Sequence, residues 1–347
     1  MAAADLLRRL GIENPVVQGA MGGGPSTPEL AAVVSNSGGM GSLGVAYLSS
    51  AQIVETIGRT RALTTRAFNV NLFAGGWQQN VPADTAPMLA VLAEMHQSLG
   101  LLPPVVPTIP SDPFPEQLEA VLEARPEVFS FTFGIPERNA LARLKARGIT
   151  ILGTATAVEE ARLLTEAGVD GIIAQGAEAG AHRGTFAGPF ETSMVPTLEL
   201  VRGIAQTVSL PVMAAGGLMD SRDIRAALEA GACAAVLGTA FLVTPESGAP
   251  AAHKRAILEA GKDTTVITRA FSGRPARGLV NDFIELLTGR EDVILPYPLQ
   301  NALTRPMRVA AAQQGIPGYL SLWAGTGVAR ARALPAAELV RRLVEEI

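Results

Sequence analysis

One repeat constrains this chain more than any other feature: a short apolar run, a Gly-rich or polar turn, then an amphipathic helix. Residues 16–18 open the series, followed by a helix over 27–37 and a second run at 41–46. Further strand candidates fall at 68–73, 128–133, 149–153, 171–175, 211–215 and 234–238. These runs are mostly apolar on both faces, as strands are when a parallel sheet is covered on both sides. Eight strand–helix alternations favour a closed barrel over an open doubly wound sheet. The expected fold class is therefore α/β, a (β/α)8 (TIM) barrel.

At 347 residues the chain exceeds the roughly 250 typical of such barrels, so it carries additions. Residues 75–115, rich in Pro and Gly around one helix at 86–99, interrupt the repeat after the third strand. Residues 245–333 follow the eighth strand and exceed what any βα unit needs. The expected organisation is a barrel over 1–244 and a smaller helical lid over 245–333. A terminal helix within 334–347 packs back as a displaced eighth barrel helix. Long segments beside the C-terminal ends of barrel strands usually shape or cover an active site. Helix ends are also legible. Thr156 with Glu159 has capping-box spacing, Gly168 is a stop, and Asp220 or Ser221 opens a helix that stops at Gly231.

Composition narrows the partners. The net charge is −4, from 28 basic and 32 acidic residues without a basic run, which argues against nucleic acid. No charge lies between Glu29 and Glu55, long enough for a membrane span. Yet Ser35-Asn-Ser-Gly-Gly39 places a turn in its middle. Asp5, Arg8 and Arg9 break up any secretory signal, so the expectation is a soluble, cytoplasmic protein. Cys233 is the lone cysteine, excluding an intrachain disulfide, and its apolar surroundings suggest a buried, inert thiol. No His or carboxylate spacing suits a metal. The oligomeric state stays open, a homodimer included.

Three loops carry chemistry. Gly39-Met-Gly-Ser-Leu-Gly44 matches a dinucleotide fingerprint, but it follows a helix and precedes a strand, the reverse of the order that site needs. It is better read as close backbone packing. Ala214-Ala-Gly-Gly217 and Leu237-Gly-Thr239 end the seventh and eighth strands, where barrels commonly hold a ligand phosphate against backbone N–H groups. The Thr239 hydroxyl adds a donor. Gln175-Gly-Ala-Glu-Ala-Gly-Ala-His-Arg-Gly184 follows the sixth strand. His182 is the one histidine of three at a strand end, a candidate base, whereas His96 and His253 fall in presumed surface helices. A histidine that only hydrogen-bonds its own loop is the alternative.

These motifs, in order and spacing, resemble the nitronate monooxygenase (2-nitropropane dioxygenase) family, as do Gln18-Gly-Ala-Met-Gly22, Phe68-Asn-Val-Asn-Leu-Phe73 and the stretch from Tyr297 through Trp323-Ala-Gly325. The resemblance implies FMN across the barrel mouth, with phosphate at Gly217, Gly238 and Thr239 and further cofactor contacts from Gly216 and Leu237. Ala20, Met21, Gly22, Asn71, Gln175, Gly180 and Ala181 would lie along the rest of the flavin. It also implies that His182 acts as base for neutral nitroalkanes or partner of an anionic nitronate, for example propionate 3-nitronate, with O2 as electron acceptor. Some members carry Tyr-x-x-x-Tyr-x-x-x-Lys where this chain reads Tyr297, Asn301 and Arg305. Many have Gly for Ala181 and Gln for Thr326. The main alternative on the same fold is an NAD(P)H-dependent FMN reductase, of enoyl-acyl-carrier-protein or quinone type. A ligand-binding barrel without turnover is a second. A Schiff-base aldolase is disfavoured, because Lys145, Lys254 and Lys262 all lie away from strand ends.

Overall fold

The computed structural model describes residues 3–79, 81–82, 84–345 and 347. Eight parallel strands, β1 (Val16–Gln18), β2 (Gly41–Gly44), β3 (Phe68–Phe73), β4 (Val128–Thr132), β5 (Thr150–Ala155), β6 (Gly171–Gln175), β7 (Val212–Ala215) and β8 (Ala234–Leu237), pair in sequence around one sheet. The pairing β1–β8 sets Val17 opposite Val236, and a parallel bridge between Val17 and Met40 closes the ring. The fold is an α/β TIM barrel, with strand positions within about two residues of the sequence expectation.

The strands are short and buried on both faces because helices cover the outside and side chains fill the inside. Helix Pro28–Asn36 shows how local sequence sets this up: Thr27 caps it, its side chain accepting from Leu30 N, and Pro28 occupies the first turn. Capping differs from expectation at one helix. Val158–Ala167 starts on Ala157 without a side-chain cap, and Thr156 instead gives its N–H and hydroxyl to Glu160 Oε2 at 2.6 and 2.8 Å. Glu160, wholly buried, also accepts from Phe186 N and Ala187 N through Oε1. The carboxylate therefore ties β5 to the chain beyond His182, and Glu159 stays on the surface.

Helix Ala3–Arg9 closes the N-terminal end of the barrel, its Leu6 packed with Val17, Met40, Val128, Leu152, Met213 and Cys233. Burial raises the Cys233 thiol to about 11, the inert state expected. Gly39, Gly41 and Gly44 pack backbone against backbone: a Cβ at Gly39 would lie 2.7 Å from Val16 O, and one at Gly44 2.5 Å from Gly22 N. The segment after β8 adds helices and a feature not anticipated, a three-stranded antiparallel sheet. Thr265–Thr268 pairs with Ala276–Leu279, which pairs with Ala181–His182. A second apolar core joins helix Ala86–Ser98 to Phe271, Phe283, Leu299 and Leu303. Helix Ala336–Val344 contacts helices Pro28–Asn36 and Ser221–Glu229, the neighbours of an eighth barrel helix.

Candidate active site at the barrel mouth

A cavity of about 550 Å3 opens at the C-terminal ends of the strands, within the roughly 300–1,000 Å3 range of small-molecule and cofactor sites. Its lining brings together Ala20, Met21, Gly22, Asn71, Gln175, Gly180, Ala181, His182, Gly216, Gly217, Gly238 and Thr239. Leu237 is the exception. Its side chain is buried in the barrel core and its carbonyl accepts from Gly19 N at 2.8 Å, so it contributes no lining surface.

The turn after β1 is held from below: Gln18 accepts from Ser42 N through Oε1 and donates to Ser26 Oγ, which also accepts from Met21 N. On the next strands Asn71 donates to Ser130 Oγ at 2.9 Å. Asn69 Oδ1, in the same lining, is buried without a partner. At the other rim Gly216 and Gly217 have φ of 134° and 70°, conformations that L side chains rarely adopt. A Cβ at Gly217 would also meet Glu178 Cβ at 2.9 Å. Thr197 fixes this turn: its N–H and hydroxyl donate to Glu178 Oε2, and its Oγ1 lies 3.1 Å from Gly216 O. Thr239 Oγ1 accepts from Gly325 N at 2.9 Å, which leaves its own hydrogen free to donate. Thr326 lies behind the turn, its N–H bonded to Glu178 O.

His182 is pinned between the loop after β6 and the segment after β8. Gln175 spans the loop, donating to His182 O and accepting from Gly184 N at 2.9 and 2.8 Å; its amide thus shapes the histidine loop. Arg183, 2% exposed, donates to the carbonyls of Gly176, Gln175 and Ser193. His182 Nε2 lies 2.7 Å from Ser272 Oγ, on the lid. Phe73, Phe133, Tyr297 and Trp323 surround the imidazole, with ring centroids 5.6–6.5 Å away. Enclosure by these rings, then the nearby charges of Arg274 and Arg308, lower the imidazole to about 3. It is neutral at physiological pH and able to accept a proton. Arg274 stacks on Phe133, its guanidinium carbon 3.8 Å from the ring centroid.

Sequence reasoning missed Ser272, Arg274 and Arg308, which come from the lid and have no motif around them. It also misplaced two histidines. His96 and His253 are 4% and 6% exposed, because helices Ala86–Ser98 and Ala251–Glu259, which carry them, each pack into an apolar core. His253 lines the cavity, bonded through Nε2 to Trp323 O at 3.2 Å, and burial lowers it to about 4.

The sequence model of the nitronate monooxygenase family matches residues 4–346. This chain belongs to that family. A probable nitronate monooxygenase of Staphylococcus aureus (strain Newman) is 40% identical over 343 residues, 99% of this chain and 96% of the relative. Among solved structures, a nitroalkane oxidase from Streptomyces ansochromogenes superposes with a TM-score of 0.90 at 41% identity, covering 98% of this chain and 97% of that one. FabK from Thermotoga maritima superposes at 0.77 with 25% identity, covering 99% and 95%. Among the described residues no helix is long and apolar enough to cross a membrane, and no cluster of His, Cys, Asp or Glu could hold a metal.

Proposed function

We propose that this family member oxidises alkyl nitronates, and nitroalkanes through them, using FMN and O2. The observation that carries the reading is a neutral imidazole, His182, facing a cavity that also holds the two glycine turns. The residues present fit the cofactor. A Cβ at Gly238 would meet nothing within 4 Å, so open space lies beside the backbone where a phosphate is expected, and Thr239 has a hydrogen to donate. Asn69 Oδ1 lacks a partner that a ligand N–H would supply. Gly216, Gly217, Gly238 and Thr239 would hold the phosphate, and the Ala20–Gly22 turn, Asn71, Gly180 and Ala181 the remainder.

FMN held there would supply one-electron transfer from nitronate to O2. The chain's own work is proton and charge placement. The neutral His182 takes the α-proton of a nitroalkane, which a charged imidazole could not do. The aromatic wall keeps water from the imidazole, and Arg274 and Arg308 make the surroundings favourable to the anion formed.

The test is the absorption spectrum of the purified protein, then O2 uptake on adding a preformed nitronate. A yellow protein that consumes O2 with nitronate supports the reading; a colourless one, or a yellow one inert to nitronate, rejects it. The structural likeness to FabK favours a second reading, reduction by NAD(P)H. Anaerobic mixing with NADH separates the two: rapid bleaching of the flavin selects the reductase.

A further inference from the structure

We infer that Arg274 is a positioning residue for the base: stacked on Phe133 and tied to Ser272, it holds the His182 imidazole at two points. This rests on His182 being the base and names what fixes its orientation. Phe133 is the first residue after β4 and has a φ of 78°, a left-handed conformation in which a bulky L residue is an outlier. Such strain persists only where the surroundings hold it, and it gathers at functional sites. Part of the hold is backbone packing: a Cβ at Gly75 would lie 2.6 Å from Phe133 O, and one at Gly134 3.1 Å from Ala74 O. The rest is at the ring. It is buried, with its centroid 4.7 Å from that of Phe73 and 5.9 Å from that of His182, near perpendicular to the imidazole. Its face takes the Arg274 guanidinium, whose central carbon is 3.8 Å from the ring centroid.

Aromatic contact seats this guanidinium. Among the described residues it makes no hydrogen bond and no ion pair. Its neighbours are the Phe133 face, the Tyr297 ring 5.9 Å away, and Gly76, where a Cβ would run into Nη1. A cation on a ring face and the strain of one left-handed residue are of the same order, so the stack offsets what Phe133 costs. The backbone of Arg274 makes the second tie. Its N–H donates to Ser272 Oγ at 3.3 Å, and that oxygen lies 2.7 Å from His182 Nε2. The ring contact and the hydrogen bond of the imidazole thus both pass through one residue. Arg274 does not line the cavity, which makes it a positioning group and not a contact for substrate. The charged and titratable groups around the imidazole are Arg274, Arg308 and the Tyr297 phenol. Burial raises the phenol, which stays neutral. After burial itself, the two cations are what keep His182 unprotonated.

The test compares the flavin-loaded protein with its Arg274→Met and Phe133→Leu variants. Nitrogen NMR of histidine-labelled protein, without substrate, reads the titration of His182, assigned with His182→Gln. The ratio of kcat/KM on nitroethane to that on its preformed nitronate reads the base, since only the nitroalkane must lose a proton. Arg274→Met should raise the His182 titration by roughly one pH unit. It should also lower the ratio about tenfold, through kcat. Phe133→Leu removes the stacked face and keeps the charge, and the ratio should fall there too. A side chain that only stabilised the fold would slow both substrates alike and leave the titration in place. That result in Arg274→Met, or an unchanged ratio in Phe133→Leu, overturns the assignment. Should Arg274→Met not fold, the ratio in Phe133→Leu decides. A wild type inert to nitroethane and to nitronate loses the nitronate reading, while the NMR titration still tests the hold of Arg274 on His182.

Discussion

His182 and Ser272 meet across the seam between barrel and lid, Nε2 to Oγ at 2.7 Å. Ser272 Oγ in turn accepts from Arg274 N at 3.3 Å and lies 3.2 Å from Arg274 O. The imidazole is therefore hydrogen-bonded to a hydroxyl that the Arg274 backbone holds in place. A residue 90 positions away thus orients the candidate base.

Ser272→Ala removes that partner and leaves a small void. The imidazole then loses its anchor and rotates within its aromatic enclosure. Initial rates with nitroethane should fall roughly ten- to a hundredfold, part of the 10²–10⁴ that a positioned base contributes. The melting temperature should stay within a few degrees. An unchanged rate would detach Ser272 from the chemistry.

Protonation gives a second prediction. His182 and His253 are lowered to about 3 and about 4 in the folded protein, whereas in the unfolded chain they titrate near 6.5. Below about 6.5 the unfolded chain binds more protons, so stability is full above that pH and falls as pH drops toward the folded values. Between about 4.5 and 6.5 most carboxylates stay ionised, so the loss in that window is the histidines' own. Melting temperature against pH should decline there, and His253→Gln should flatten the slope. The rate on neutral nitroalkanes should show no acid limb near 6.5. A limb at that pH would mean that His182 titrates as a solvated imidazole.

Legibility in the sequence followed the range of the interactions. Each barrel strand is a local apolar run between turn residues, so all eight could be read, and the glycine turns and His182 sit at fixed offsets from strand ends. The lid half of the site was opaque. Arg308 reaches the cavity, and Ser272 and Arg274 reach His182 and Phe133, only through packing of the second apolar core, which no short window encodes. His253 was misjudged for the same reason, since a helix with Lys254 and Arg255 looks exposed until Trp323 covers its other face. Glu160 shows a subtler limit, because two carboxylates in one first turn leave the capping partner undecided.

Ala181 offers a third prediction. Its φ is 61°, a left-handed conformation that costs an L residue roughly 1–2 kcal/mol. It persists because Ala181 pairs with Arg277 in the lid sheet while His182 pairs with Ala276. Ala181→Gly relieves that cost, less about 0.4–1 kcal/mol for the greater freedom of an unfolded glycine. Thermal melting should therefore show an equal or slightly more stable protein. Ala181→Val, β-branched at positive φ, should melt lower and slow nitroalkane oxidation by displacing His182. A valine variant as stable and active as wild type would mean that the loop tolerates remodelling beside the imidazole.

Gly238 gives the cleanest test of where a cofactor phosphate sits. Its φ of −99° is open to any residue, and a Cβ there would meet no protein atom within 4 Å. Gly238→Ala should therefore fold and melt like the wild type. A phosphate held against this backbone would instead meet the new methyl group, since close approach of N–H groups to phosphate oxygens is what glycine permits. The variant should purify with reduced flavin and bind added FMN at least about tenfold more weakly, a cost of roughly 1.4 kcal/mol. Gly217→Ala cannot separate the two effects, because its Cβ would strike Glu178 and strain the turn with or without a ligand. A Gly238→Ala protein that keeps full flavin affinity would move the phosphate away from the end of β8.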